Sequence, residues 1–320
     1  IGAANAWRAS VQSGLDSLAQ ASTEDDYTPL IESGQVSLLE LTHAFGMFAN
    51  QGSLIGATAS NDGSFDPIVI LEVLDDSGQV WTVQQPENRV VTTPQLAYLV
   101  TNMLSDEAAW QETLGNPNPF QISRPAAAKM GRGLTQASTW TAGYTPDTVV
   151  GVWTGLPATN DGGEAGTLDP VVSAGIWNAL MKSIHQDVEL ASFTEPIGIT
   201  HQVVCDPSGL LPTEECPDTV NEVFITGNEP LFADNLYRTF LINTQTGRLA
   251  TIYTPTEFLE EKVYLEFSGG IEGCQSAGLR IDQKCAVQVI CKQRLVAGDE
   301  HFVDLMAALE TTTSPFIACK

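Results

Sequence analysis

The chain has 320 residues, 43% of them hydrophobic and 17% charged. That is enough apolar material for a packed core, which excludes wholesale disorder, and at about 150 residues per domain it predicts two units or one large domain with an appendage. Its 39 acids against 14 bases give a net charge of −25, which repels phosphates and excludes nucleic acid and anionic lipid as natural partners. No run of roughly 18 apolar residues reads as a transmembrane helix. The stretch from Ile1 to Leu18 lacks the basic and apolar regions of a signal peptide. Because the first residue is Ile rather than Met, the chain is expected to begin partway through a longer gene product.

In chain order, residues 7–20 read as an amphipathic helix, with Trp7, Val11, Leu15 and Leu18 at helical spacing. Residues 21–35 are acidic and polar and read as a loop. Residues 36–50, VSLLELTHAFGMFAN, predict a strong helix with Leu38, Leu41, Phe45 and Phe48 on one face, ended by Asn50-Gln51-Gly52. Two β-rich runs, 68–74 and 79–84, flank the turn signal Asp75-Asp76-Ser77-Gly78 and predict a hairpin. Thr93 and Pro94 open a further helix through Leu104, as cap and first helical residue.

Three strand-like pieces follow. One runs through Ala126 to Lys129, one from Ser138 to Tyr144 and one from Thr148 to Thr154, the last two joined by Thr145-Pro146-Asp147. Short strands joined by tight turns imply antiparallel pairing. A helix is expected from Val171 to His185. Helices flanking an antiparallel sheet give an α/β sandwich. The domain reading is therefore 1–190 for this α/β part, 191–267 for a small β-rich appendage, and 268–320 for a tail. The tail differs in charge: it holds 6 acids and 5 bases, against 33 acids and 9 bases in residues 1–267. It reads either as a small extra module or as a stretch translated out of frame.

Six cysteines are present. Cys274, Cys285, Cys291 and Cys319 fall in the tail, and no Cys-x-x-Cys occurs, which excludes zinc-ribbon and thioredoxin readings. Cys205 and Cys216 bracket a turn-rich segment, VCDPSGLLPTEEC. They read as a local disulfide, which implies an oxidising compartment, or as two free thiols.

Among chemical motifs, G-x-S-x-G, H-E-x-x-H, the phosphate-binding G-x-x-x-x-G-K and a dinucleotide loop are all absent. His43, His185, His201 and His301 are scattered without metal-ligand spacing, so no metal or cofactor is expected. The segment Arg124-Pro125-Ala126-Ala127-Ala128-Lys129-Met130-Gly131-Arg132-Gly133 stands apart. A small-residue run enters a strand, followed by a Lys and an unobstructed Gly. Such a strand edge admits an extended ligand along its backbone, with the Lys available to a carboxylate. Read alone it is equally an ordinary edge strand with a solvated Lys.

The run RPAAAKMGRG…STWTAGYTPDTVVGVWTG, residues 124–155, resembles the final sheet strands of class A penicillin-binding proteins. Their pattern is a small-residue run, K-T-G-T, then W-x-x-G-Y-T-P-D-x-V-V-G-V-W-x-G, and it is matched here from Trp140 through Gly155. Residues 36–52 resemble the family helix carrying L-L-E-L-T and F-A-N-x-G, and residues 90–104 the helix before the K-T-G strand. Residues 196–230 resemble the small domain that some members carry after the transpeptidase fold. The resemblance spans about residues 30–267.

It implies a penicillin-recognising transpeptidase-like fold, incomplete here, with a small β-rich C-terminal appendage. It also implies an acyl-serine transferase that crosslinks peptidoglycan stem peptides and is acylated by β-lactams. The parent would be membrane-anchored on the extracytoplasmic face, would carry a glycosyltransferase domain, and could engage other cell-wall synthases. By the same resemblance Lys129, Met130, Gly131 and Arg132 are the substrate-binding positions.

Two departures stand out. The nucleophile motif S-x-x-K is missing: three residues before the six lysines stand Ala126, Ala179, Leu259, Ile281, Val289 and Ile317. The family order places that motif and S-x-N upstream of residue 30, so no catalytic residue is assigned. The K-T-G-T position reads Lys129-Met130-Gly131-Arg132. Met130 offers no hydroxyl, and a lost hydrogen bond to a charged group weakens binding by about 1.5–3 kcal/mol. The expected function is a transpeptidase fragment inactive as it stands; the alternative is a non-catalytic scaffold for peptidoglycan or partner synthases.

Overall fold

The computed structural model describes residues 3–20, 35–59, 64–134, 136–157 and 166–265. The expected loop at 21–35 lies almost wholly outside these residues, and the tail at 268–320 with its four cysteines lies entirely outside them. The chain divides into two compact units between Thr200 and His201.

The first unit opens with α1, Ala3–Gln12. It is shorter than the expected helix because Gly14 takes φ 90°, a left-handed value that a helix cannot hold. The chain resumes as a 3₁₀ turn, Asp16–Gln20, and Leu15 and Leu18 still pack with Trp7 and Val11. Helix α2 spans Leu38–Ala49. Ser37 caps it through a reciprocal box: the Glu40 N–H donates to Ser37 Oγ, and the Ser37 N–H donates to the Glu40 carboxylate. Ser17 adds its N–H and hydroxyl to the same carboxylate at 2.9 and 2.6 Å, which ties the preceding turn to α2. Burial alone pushes this carboxyl up, but the bonds from Ser17 and Ser37 together outweigh it and hold Glu40 below the usual carboxylate range.

Left-handed Gln51 and Gly52 end α2 and turn the chain into β1, Ser53–Thr58. β1 pairs antiparallel with β2, Phe65–Asp66, and with β5, Glu87–Val90. This small sheet was not legible in the sequence: its strands are short and β1 has a glycine at its centre. Its inner side packs on α2 through Met47, Leu54 and Phe65. The predicted hairpin is present as β3, Glu72–Leu74, and β4, Val80–Val83, shorter than the runs that announced it. Thr93 caps α3, Pro94–Leu104, as expected. Helix α4, Glu107–Leu114, went unread because it is short and only Trp110 and Leu114 join the core.

The central sheet has the order β6–β7–β8, with β6 at Ala127–Arg132, β7 at Ser138–Tyr144 and β8 at Val149–Gly155. Both pairings are antiparallel, in a register that sets Ala128 opposite Gly143 and Trp140 opposite Trp153. Helix α5, Val171–Ile184, covers one face; α2 covers part of the other. Two glycines of the W-x-x-G-Y-T-P-D-x-V-V-G run permit these approaches. At Gly143 a Cβ would stand 2.7 Å from both Ala128 Cβ and Trp177 Cζ2 of α5. At Gly151 it would strike Thr42 Oγ1 of α2. Gly143→Ala is therefore an overpacking change across a closed interface, expected to cost about 1–3 kcal/mol in the urea unfolding of the unit. A cost near zero would mean that α5 does not seat on β7 at this distance.

The second unit is β-rich. β9, Ile199–Cys205, pairs with β10, Thr219–Ile225. β11, Tyr237–Asn243, lies between β12, Arg248–Leu249, and β13, Leu259–Leu265. A disulfide joins Cys205, which is fully buried, to Cys216.

Candidate functional site: the β6 edge strand

The segment singled out by sequence forms β6, which lies at the edge of the central sheet: among the described residues its only strand partner is β7. Its first half is a wall of small side chains, with Ala126, Ala127 and Ala128 all buried. Arg124, just before it, is occupied elsewhere. Its guanidinium donates to the carbonyls of Val188 at 2.9 Å and His185 at 3.4 Å, where α5 ends. A cation at that point complements the partial negative charge of a helix C-terminus. Arg124 thus anchors α5 and is not a ligand-binding group.

Strand pleating separates the four positions at 129–132 into two pairs. Ala128, Met130 and, by alternation, Arg132 face α5. Met130 packs against the cluster of Ala128, Val152, Ala174, Trp177 and Met181. Across from it Thr141 on β7 shares a 2.9 Å hydrogen bond with Ser173 of α5. Lys129 and Gly131 lie on the opposite face, the one partly covered by α2. Both are exposed. A Cβ at Gly131 would meet nothing within 4 Å, so the approach to the strand there is open. Beside Gly131, Trp140 and Trp153 form an edge-to-face pair with centroids 6.3 Å apart, and Trp153 keeps half its surface exposed. Among the described residues neither Lys129 nor Arg132 is ion-paired.

The face thus offers a solvated ammonium, an unobstructed backbone edge and an aromatic floor. These can hold an anionic, extended ligand. Among the described residues the threonine hydroxyls of β7 beside β6 are engaged, Thr141 with Ser173 and Thr139 with Thr154. Period-two alternation alone would have put Lys129 and Met130 on opposite faces, and it is the signal that could have shown Met130 to be a core residue.

The residues that follow fix β6 from the other side. Tyr144, fully buried, shares a 2.9 Å hydrogen bond with Thr101 of α3. Thr145 Oγ1 accepts from the N–H groups of Asp147 and Thr148, so its own proton is free to go to His185 Nε2, 3.0 Å away. His185 Nδ1 lies 2.8 Å from the Met181 carbonyl, and so carries the ring proton. The Gly-Tyr-Thr-Pro-Asp run is thereby a structural joint between the sheet, α3 and α5.

An α5-backed antiparallel sheet with a Lys–x–Gly edge strand is the arrangement of the penicillin-recognising transpeptidases, and comparison with solved structures agrees on the fold. Penicillin-binding protein 1A from Haemophilus influenzae superposes with a TM-score of 0.54 at 16% identity, covering 70% of this chain and 37% of that one. A family model described as "Penicillin-binding protein 1A, C-terminal domain" matches residues 195–239. Penicillin-binding protein 1A of Clostridium botulinum is 27% identical over 245 residues, 73% of this chain and 27% of that protein. Its counterpart in Clostridium tetani is 30% identical over 200 residues, 60% of this chain and 23% of the relative. The chain is thus similar to penicillin-binding proteins 1A over 60–73% of its own length, and residues 195–239 are similar to their C-terminal domain. It spans about a quarter of the length of these curated relatives.

Proposed function

We propose that this chain supplies the substrate-strand half of a peptidoglycan transpeptidase together with its small C-terminal domain, with residues 1–190 and 191–267 as the two parts. Lys129 and Gly131 would receive the peptide: the ammonium pairs with the stem-peptide carboxylate, or with that of a β-lactam, and the open backbone edge pairs with the extended chain. The observation that carries this reading is the exposure of Lys129 and Gly131 together on one face of an edge strand, within a family-matching sequence. Acyl transfer additionally needs a Ser–Lys pair, and no Ser stands three residues before any Lys of this sequence. The chain alone is therefore proposed to be inactive. The Cys205–Cys216 bond and the resemblance to penicillin-binding proteins support a location on the extracytoplasmic face; among the described residues no helix is long and apolar enough to cross a membrane.

Labelling with a fluorescent penicillin, followed by a denaturing gel, tests this. The chain by itself is expected to give no covalent band. Extended upstream to include an S-x-x-K helix, it is expected to give a band that disappears when that Ser is replaced. In the extended protein Lys129→Ala should slow acylation by about 10- to 100-fold, the size of a lost hydrogen bond to a charged group. A band from the chain alone, or full labelling without Lys129, would refute the assignment. Met130 and Arg132 favour a second reading, a scaffold that binds peptidoglycan or partner synthases without reacting. A folded extended protein that is never labelled would select it.

A further inference from the structure

The β3–β4 hairpin and the residues leading into β3 present apolar surface out of proportion to their size. Val69 is 82% exposed, Trp81 76%, Leu71 63% and Ile70 61%, and every residue of both strands is exposed. The two strands pair only with each other, so among the described residues both outer edges keep unpaired backbone groups. A two-stranded hairpin alone in water is marginal, and edges of this kind are ordinarily guarded by Lys or Pro. Here no Lys or Arg occurs between Gln51 and Asn88, while that stretch holds six acids.

The turn, in contrast, is firmly built. The Asp75 carboxylate accepts from the Ser77 N–H at 2.9 Å, from the Ser77 hydroxyl at 2.6 Å and from the Gln79 N–H at 2.8 Å. The hairpin is thus a preformed arm, and a preformed arm binds with less ordering cost than a loop.

We propose that this arm is a docking element that takes an extended apolar segment bearing Lys or Arg as a third strand. Edge addition satisfies the free backbone groups on one side, the apolar side chains of the incoming strand pack beside those exposed on the hairpin, Trp81 among them, and its cations meet Glu72 and Asp76. A second copy of the chain is disfavoured as occupant because it would set one acidic arm against another. The inference is independent of the transpeptidase reading.

The test is fluorescence anisotropy with the whole chain and a labelled peptide alternating Val and Lys over roughly eight residues, the length of a strand, at about 0.15 M salt. Saturable binding is expected, with none for the Val/Glu counterpart. The double variant Val69→Thr with Trp81→Thr changes only exposed side chains, and circular dichroism checks its fold. It should weaken binding by about tenfold or more, a difference well outside measurement error. Glu222→Gln, an exposed acid on β10, should leave binding unchanged. Equal binding by the hairpin variant, or equal binding of an all-Lys peptide, would reduce the effect to diffuse attraction by a net charge of −25 and overturn the proposal. So would self-association of the chain that the hairpin variant abolishes, or capture of the arm by zwitterionic lipid vesicles in place of the peptide.

Discussion

Trp177→Ala is expected to cost the first unit about 3–5 kcal/mol. Trp177 is fully buried in the middle of α5. Its ring meets Phe120 edge-on at 5.8 Å, and Phe120 in turn meets Trp110 at 5.2 Å, so one indole holds α4, the following loop and α5 together. On its other side it lies over Gly143, whose missing side chain makes the space. Truncation to Ala leaves a cavity that none of these rigid neighbours can fill. One feature of the indole works against it: Nε1 has no hydrogen-bond partner among the described residues. A buried donor left unpaired costs about 1–3 kcal/mol. Trp177→Phe removes that penalty along with part of the packing and should cost far less than the Ala change. The comparison is made by urea unfolding followed by far-UV circular dichroism. The Ala variant should also relieve part of the cost of Gly143→Ala, because the clash of the new Cβ with Cζ2 is gone while that with Ala128 stays; strict additivity of the two costs would contradict the contact. A loss below about 1 kcal/mol for Trp177→Ala would mean that α5 is not the backing of the sheet.

This interface explains why some of the fold was legible and some was not. The helices at 38–49 and 94–104 carry their boundaries in local chemistry: Ser37 with Glu40, Thr93 with Pro94. The strands at 138–144 and 149–155 are long, β-branched and joined by a Thr-Pro-Asp turn, so they were readable too. β1, β2 and β5 were not, because each is short and stabilised by tertiary contact, as Leu54 and Phe65 under Met47 illustrate. α4 is held by Trp110 and Leu114 alone and gives no periodic signal. At the candidate site the sequence singled out the strand, and the family resemblance singled out positions 129–132, but which face each position takes had to come from pairing. Lys129 and Gly131 share one surface, while Met130 belongs with Trp177 in the core. A side chain at position 130 therefore answers to packing against α5 as well as to any ligand.

Tyr144 is expected to make the unit lose about 2 kcal/mol of stability between pH 10 and 12. Burial pushes its phenol up to about 12, and the Thr101 hydrogen bond offsets only part of that rise. The ring is fully buried against Phe45 and Phe193, with centroids 6.3 and 5.7 Å away, so a phenolate there would be desolvated. The sign follows from the neutral form being the one the fold accepts. The folded state holds its proton more tightly than the unfolded chain, so the stabilisation is complete below about pH 10 and drains away as pH climbs through the folded value. Tyr144→Phe cannot titrate. At neutral pH it should be less stable by about 1 kcal/mol, the worth of the Thr101 hydrogen bond. Above pH 10 its stability should fall less steeply than that of the parent, so the two curves cross. Lysines and other tyrosines also titrate in this range, and for that reason the difference between parent and variant is the quantity to follow. Tyr98, raised by burial and then by its bond to Glu195, is the control: it lies on α3 with Thr101 but is only partly buried, so Tyr98→Phe should change the pH dependence far less. Parallel loss of stability in parent and Tyr144→Phe from pH 10 to 12 would mean that the phenol reaches solvent on ionisation, and that the Gly-Tyr-Thr joint opens far more easily than its packing implies.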